Sequence, residues 1–429
     1  MRPYKEFLTV AEIDRELKKI VPKENIFLLG RSKNGRRIFG AKIGSGKKNA
    51  LVYGFIHSNE AVGAITALEL IMEVMSRADL QNKYTWHIIP CVDPDGARLN
   101  EGWFKGKLTI KKYFKNFFRP AMGHQVEWTF PFEHKNFYFN RPVPETRLLM
   151  KLIDKTKPAF VCPLHNAGIG GAFFLITRQM PPAYYRRVLA VCRRLNIPVA
   201  LAESGGEYLR EIKYPFSYLR GVRAISNNFK TTSAGKKAIF YYGDDSVGYA
   251  RTKNPNAFGL TPEVPYFADK KISDRRKAKE LKKDLEKTSL DIARDVFDFI
   301  ADIFERYDLN KRSIFYKEIK SLLNDRKPPI AFGQGAAKKK SQRRATAADK
   351  YAAEVGSRFY AGAWLGMLRR LIKESGSSKE IKTALRETDK KIAVIIRAIN
   401  QKSNYHAVPV EDLVACHLQT ILATIKYLK

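Results

Sequence analysis

An α/β fold is what this 429-residue sequence predicts: a mixed twisted sheet flanked by helices, with an additional all-helical module at the C-terminus. Three observations lead there. Short apolar runs at 51–56, 86–91, 158–164, 197–202 and 259–266 alternate with helix-period stretches at 61–75, 145–155 and 182–195, the pattern of a sheet covered by helices. Hydrophobic residues make up 45% of the chain, ample for a large buried core. After Tyr266 the strand-like runs stop, charge becomes dense, and Leu281, Leu285, Ile292, Val296, Ile300, Ile303 and Phe304 recur near helical spacing.

The first strand, Ala50-Leu51-Val52-Tyr53-Gly54-Phe55-Ile56, runs out into His57-Ser58-Asn59-Glu60. The second, from Trp86, ends in the turn Asp93-Pro94-Asp95-Gly96. The third, from Pro158, ends in Leu164-His165-Asn166, and the last carries one isolated acid, Glu263. Residues 271–307 read as one long amphipathic helix. Arg326-Lys327-Pro328-Pro329 breaks that pattern, and 333–344 reads as a basic, Gly/Ala-rich linker. Three helices follow, at about 346–374, 378–400 and 409–428, the last opening with Glu411 and Asp412 where a helix dipole favours acids. At roughly 150 residues per domain the length allows one large domain or two to three ordinary ones. The division expected is 1–308 and 309–429.

The formal net charge is +35, with an excess of +15 after residue 270 and +20 before it. Such a field suits polyanions: nucleic acid, anionic lipid or acidic cell-wall polymers. A lysine-rich proteome gives the same number without any partner, and no zinc-finger, RNP or helix-turn-helix signature supports nucleic-acid recognition. Cys91, Cys162, Cys192 and Cys416 lie mostly in apolar runs without metal or disulfide-framework spacing, so reduced core thiols in a cytoplasmic setting are expected. The N-terminus has no apolar signal-peptide core, and no stretch reaches the roughly 18 apolar residues of a membrane span. Asn166-Ala167-Gly168-Ile169-Gly170-Gly171 lacks the Lys-Ser/Thr ending of a phosphate loop.

His57 and Glu60, three apart at a strand end, can turn an imidazole and a carboxylate toward one point, and His165 supplies a third ligand after another apolar run. Two imidazoles and a carboxylate suit a catalytic zinc, which keeps one coordination position open. Each piece alone is common, and a lone histidine at a strand end is ordinarily structural.

The order of the pieces resembles the zinc carboxypeptidase family over roughly residues 25–270. The resemblance rests on Gly30-Arg31-Ser32-Lys33-Asn34-Gly35, on His57-Ser58-Asn59-Glu60, on Asp93-Pro94-Asp95-Gly96 and on Pro144-Glu145-Thr146 after Asn140-Arg141. It implies a single Zn²⁺ held by His57, Glu60 and His165, with Glu263 as general base and acid. An edge-strand acid facing solvent is the competing reading of Glu263. The resemblance also implies that Asn140 and Arg141 grip the free C-terminal carboxylate of a peptide, for which a guanidinium offers two parallel hydrogen bonds. It implies an oxyanion-stabilising arginine, here Arg119 with Arg98 second, and a tyrosine over the substrate, here Tyr242 in preference to Tyr241. Asp245, in Asp244-Asp245-Ser246-Val247, falls where the substrate's last side chain is read and suits a basic or amino-bearing end; turn chemistry competes with that role.

The implied activity is a zinc-dependent metallocarboxypeptidase hydrolysing the C-terminal amide bond of peptides, including cell-wall-derived peptides of the D-glutamyl-diaminopimelate type. The alternatives are a zinc-dependent deacylase of N-acyl amino acids and a non-catalytic protein that binds polyanions through its basic tail.

Overall fold

A computed structural model describes residues 2–134, 137–201, 209–213, 215–219, 238–239, 242–324 and 342–428. An opening helix, Val10–Ile20, is fixed by a reciprocal cap between Thr9 and Glu12. Strands β1 (Ile26–Arg31), β2 (Arg37–Ile43), β3 (Lys48–Tyr53) and β4 (Tyr84–Ile89) follow, with the helix Val62–Met75 between the last two. Then come the short β5 (Phe132–His134) and β6 (Phe137–Phe139), β7 (Phe160–Pro163), β8 (His165–Gly170), β9 (Phe173–Ile176), β10 (Leu209–Lys213), β11 (Phe216–Leu219), β12 (Ala238–Ile239) and β13 (Phe258–Ala268).

The main sheet runs β1-β2-β4-β3-β7-β13-β9-β11-β10, with β8 also paired to β13. It is mixed as expected: β4, β3, β7 and β13 are mutually parallel, while β1, β2 and β9 join antiparallel. β13 is the central strand and is buried at every residue except the partly exposed Glu263. Its first residues pair with β7, Phe258 opposite Phe160. Past Leu164 its neighbour becomes β8, with Glu263 opposite His165.

Two sequence expectations change. The 197–202 run forms no strand over its described residues; Val199 makes only an isolated bridge to Ala172. The single helix over 271–307 starts late, because Lys277–Leu281 is a strand (β14) paired antiparallel with β15 (Arg344–Thr346), and the helix spans Lys282–Arg306. The partner strand lies more than sixty residues downstream, so no local pattern announces it. Most of the expected basic linker at 333–344 lies outside the described residues. The 346–374 helix is a run of Ala347–Tyr351, a π-turn at Ala352–Gly356 and Ser357–Glu374.

The C-terminal helices are a layer of the same body. Phe359, Leu365, Met367, Leu413 and Ile421 belong to one apolar cluster with Val52, Leu68, Trp86 and Val264. The last helix, Val410–Tyr427, packs on Val62–Met75, on Pro182–Arg194 and on β13. The two-residue strand β16 (His406–Ala407) extends the sheet beside the end of β13. All four cysteines are free and buried. Among the described residues no helix is long and apolar enough to cross a membrane.

Candidate metal centre

The end of β3, the start of β8 and the middle of β13 build the site. β3 stops at Tyr53 and the chain turns through Gly54, where a Cβ would strike the backbone of Gly63, Ala64 and Pro90. Phe55 follows with φ 52°, a left-handed conformation that a bulky residue adopts only under constraint. That sharp exit carries His57 and Glu60 inward ahead of the helix Val62–Met75. β8 opens with His165, and β13 brings Glu263 alongside it. Facing residues of parallel strands project to the same side of a sheet, so the register alone puts these two side chains together.

His57, Glu60 and His165 are all buried, and one ligand atom from each lies within 4.8 Å of the other two. The two imidazole rings are 4.9 Å apart at 72°. His165 Nδ1 is 3.2 Å from Glu60 Oε2 and 3.7 Å from Glu263 Oε1. His57 Nδ1 is buried with no hydrogen-bond partner, and Glu60 Oε2, also buried, has only the approach of His165 Nδ1. Unsatisfied buried polar atoms are costly. An unsatisfied nitrogen and a carboxylate oxygen aimed into one cluster of nitrogen and oxygen donors fit a divalent cation, and the residue types are those of a catalytic zinc.

The charges behave accordingly. Burial, then the Arg119 and His165 charges, holds the His57 imidazole well below its usual range, which leaves it neutral. For His165 burial works in the same direction but is overridden by Glu60, Glu127 and Glu263, which raise it well above that range. Burial, with Glu60 and Glu127 nearby, lifts Glu263 to about 7 against the opposing pull of His165 and Arg119.

Arg119 reaches the same cluster. Its Nη1 is 3.4 Å from Glu60 Oε1 and 3.5 Å from Asn59 Oδ1, and its Nε donates to Gln125 Oε1 at 3.2 Å. Arg98 ends the short helix Pro94–Arg98 and is exposed. Tyr242 is buried, its ring 6.3 Å from Trp128, whose ring stacks on His57 at 6.3 Å and 30°. Tyr241 lies outside the described residues. Asp245 is buried and caps the helix Ser246–Lys253 by accepting from the Gly248 N–H at 2.7 Å. Burial, then Asp244 and Glu127, pushes its carboxyl well up. Asn140 and Arg141 are both exposed, and the Arg141 guanidinium lies 5.7 Å from the Phe139 ring centre. None of the hydrogen bonds or ion pairs found among the described residues links either to the histidine–glutamate cluster.

Two contributors had no signal in the sequence. Gln125 acts electrostatically on the His57 ring, and its own side chain is fixed by accepting from Arg119 Nε and donating to the Pro120 carbonyl. Glu127, also buried, places Oε1 3.7 Å from His165 Nε2. Carboxylates and amides behind metal-ligating histidines fix the ring orientation. Both sit around short 3-10 turns without periodicity, so only the fold reveals them.

The zinc carboxypeptidase family model matches residues 14–169. Among solved structures, carboxypeptidase A from Helicoverpa armigera is 16% identical over 61% of this chain and 65% of its own, with TM-score 0.35. A protein of Shewanella amazonensis assigned as a metallopeptidase is 12% identical over 60% and 84%, with TM-score 0.40. Bovine thrombin-activatable fibrinolysis inhibitor, solved with a tick carboxypeptidase inhibitor, is 12% identical over 60% and 86%, with TM-score 0.38. No curated protein matches the chain.

Proposed function

We propose, starting from the zinc carboxypeptidase family to which residues 14–169 belong, that the chain is a metallocarboxypeptidase that hydrolyses the C-terminal amide bond of peptides. The observation that carries this reading is the convergence of His57, Glu60 and His165, with Glu263 on the neighbouring strand beside them. His57, Glu60 and His165 would hold one zinc ion, which supplies Lewis acidity at the scissile carbonyl when bound.

The remaining steps belong to the chain's own side chains. Glu263 takes a proton from the attacking water and delivers it to the leaving amine; its raised pKa suits both directions of transfer near neutral pH. Arg119, held by Gln125 and Asn59, stabilises the oxyanion that forms at the carbonyl. Gln125 and Glu127 keep the two imidazoles in their ligating orientation. Arg141, with Asn140, is proposed to grip the substrate's free carboxylate from the exposed loop before the helix Pro144–Thr156.

Side-chain selection is assigned to the buried Asp245, with Tyr242 packed behind Trp128. Tyr53, Ser246 and Glu127 are buried close by, and Glu127, Ser246 and Asp245 all act on the Tyr53 hydroxyl. An amino-bearing terminal residue, such as lysine or the diaminopimelate of cell-wall peptides, supplies the positive charge that suits these carboxylates. The overall charge of +35 favours an anionic partner surface away from Asp245.

Incubation of zinc-loaded protein with a panel of peptides, cell-wall peptides and N-acyl amino acids, read by product mass, tests the proposal. Release of single C-terminal residues is expected. Cleavage confined to the N-acyl amino acids would replace the proposal with a deacylase.

A further inference from the structure

The helix Ser357–Glu374 lies beyond the 14–169 match, yet its first turn rests on the strand that carries His165. Gly168, three residues after His165, has no side chain where the Phe359 ring packs, and a Cβ there would collide with that ring. Phe359 is buried against Tyr113 at 5.4 Å and Phe267 at 5.8 Å, which anchors the helix end to the floor of the site.

The next residue, Tyr360, behaves differently. Its side chain is among the most exposed large apolar groups of the described chain, at 54%, but its hydroxyl turns inward and accepts a hydrogen bond from the Gly168 N–H at 3.4 Å. The ring is solvent-exposed while the oxygen is engaged by the β8 backbone. Burial of that oxygen, and then the negative charges of Glu263 and Glu60, raise its pKa, against the pull of Gly168 and Arg119. The phenol therefore stays neutral at physiological pH and sits in the electrostatic field of the general base, a metal ligand and the oxyanion arginine together. Because Gly168 occupies the oxygen as donor, the phenolic proton itself is left to donate elsewhere. By contrast Tyr242, where the resemblance places the substrate-covering tyrosine, is buried behind Trp128.

We propose that Tyr360 is a substrate-contacting residue of this site, its hydroxyl donating a hydrogen bond to an acceptor oxygen of the bound peptide. The C-terminal helical segment thereby completes the site. This rests on the peptidase reading above and adds a binding group from a part of the chain outside the family match.

The test uses the full-length zinc-loaded protein and the peptide benzoylglycyl-lysine, comparing wild type with Tyr360→Phe. Tyr360→Phe keeps the ring and removes one neutral hydrogen bond, so KM is expected to rise about tenfold while kcat stays within about twofold. Zinc content and thermal midpoint should match wild type. Calorimetric binding of the same peptide to Glu263→Gln, with and without Tyr360→Phe, should show the same tenfold weakening without any turnover. Peptide bound to Glu263→Gln should also slow nitration of Tyr360 by tetranitromethane. If wild type cleaves the peptide and Tyr360→Phe matches it in both KM and affinity, Tyr360 has no substrate contact and the inference falls alone. If wild type neither cleaves nor binds any peptide of the panel, the peptidase reading falls and takes this inference with it.

Discussion

Glu263 on β13 and His165 on β8 are register partners in adjacent parallel strands, and their side chains meet with Oε1 3.7 Å from Nδ1. A carboxylate on a central, otherwise apolar strand is expensive to bury unless it has a task or a counter-charge. Here it has both. Replacing it with glutamine keeps the shape and removes the proton acceptor. Glu263→Gln should lower kcat by about 10²–10⁴-fold while zinc content, measured by atomic emission, is unchanged.

Arg119 is the only described arginine with an ion pair to Glu60. Arg119→Gln should lower kcat about 10²-fold or more, with a smaller change in KM, because the guanidinium is needed most when charge develops on the carbonyl oxygen. Steady-state kinetics separate the two parameters. An Arg98→Gln control, at an exposed position, should leave both unchanged.

Metal removal has a stability consequence as well as a catalytic one. His57 Nδ1, buried without a hydrogen-bond partner, would gain a partner in bound zinc. Zinc at about a thousandfold over its dissociation constant should stabilise the fold by about 4 kcal/mol. A chelator should reverse the shift in thermal midpoint. His165→Ala should abolish the zinc-dependent shift.

The C-terminal helix shares the core of the sheet, which makes it part of the folding unit. Leu413 is fully buried in the common cluster. Leu413→Ala should cost about 2–5 kcal/mol in denaturant unfolding, and the near-UV signal of Trp86 in the sheet should be lost in the same transition. Removing the tail to test polyanion binding would therefore expose this core; charge-reversing surface substitutions are the cleaner experiment.

His87 lies on β4 away from the metal site, its Nε2 3.1 Å from Asn49 Oδ1. Burial, then Lys42 and Lys155, lowers its pKa to about 4. A depressed histidine binds its proton in the unfolded chain first, so its contribution is whole above the unfolded value near 6.5 and is lost as pH falls toward 4. Between pH 7 and pH 5 wild type should lose about 1–2 kcal/mol through this group. His87→Gln should flatten that part of the stability profile in urea titrations.

What could be read from the chain alone was local. His57 and Glu60 announce themselves because a seven-residue apolar run ends beside them, and His165 because Pro158 to Leu164 does the same. The zinc cluster then needed only that these strands be neighbours, which the sheet order β3-β7-β13 provides. Gln125, Glu127 and Tyr360 were illegible for the opposite reason: each meets the site through tertiary packing, from short 3-10 turns or from a distant helix, with no spacing to mark it. β14 was hidden likewise, since Lys277–Leu281 alternates charges that also suit a helix and its partner lies at Arg344–Thr346. The three helices after Thr346 were plain from periodicity, whereas the helix Ile314–Asn324 was not read; nor was the fusion to the sheet through Leu413, Ile421 and Phe359, because an apolar helix face does not say what covers it.

The most direct measurement is an anomalous difference map at the zinc edge from crystals of the zinc-loaded protein. The account predicts one strong peak enclosed by His57, Glu60 and His165, with the Glu263 carboxylate beside it. A peak at any other cluster, or none at a site whose three side chains have turned apart, would contradict it.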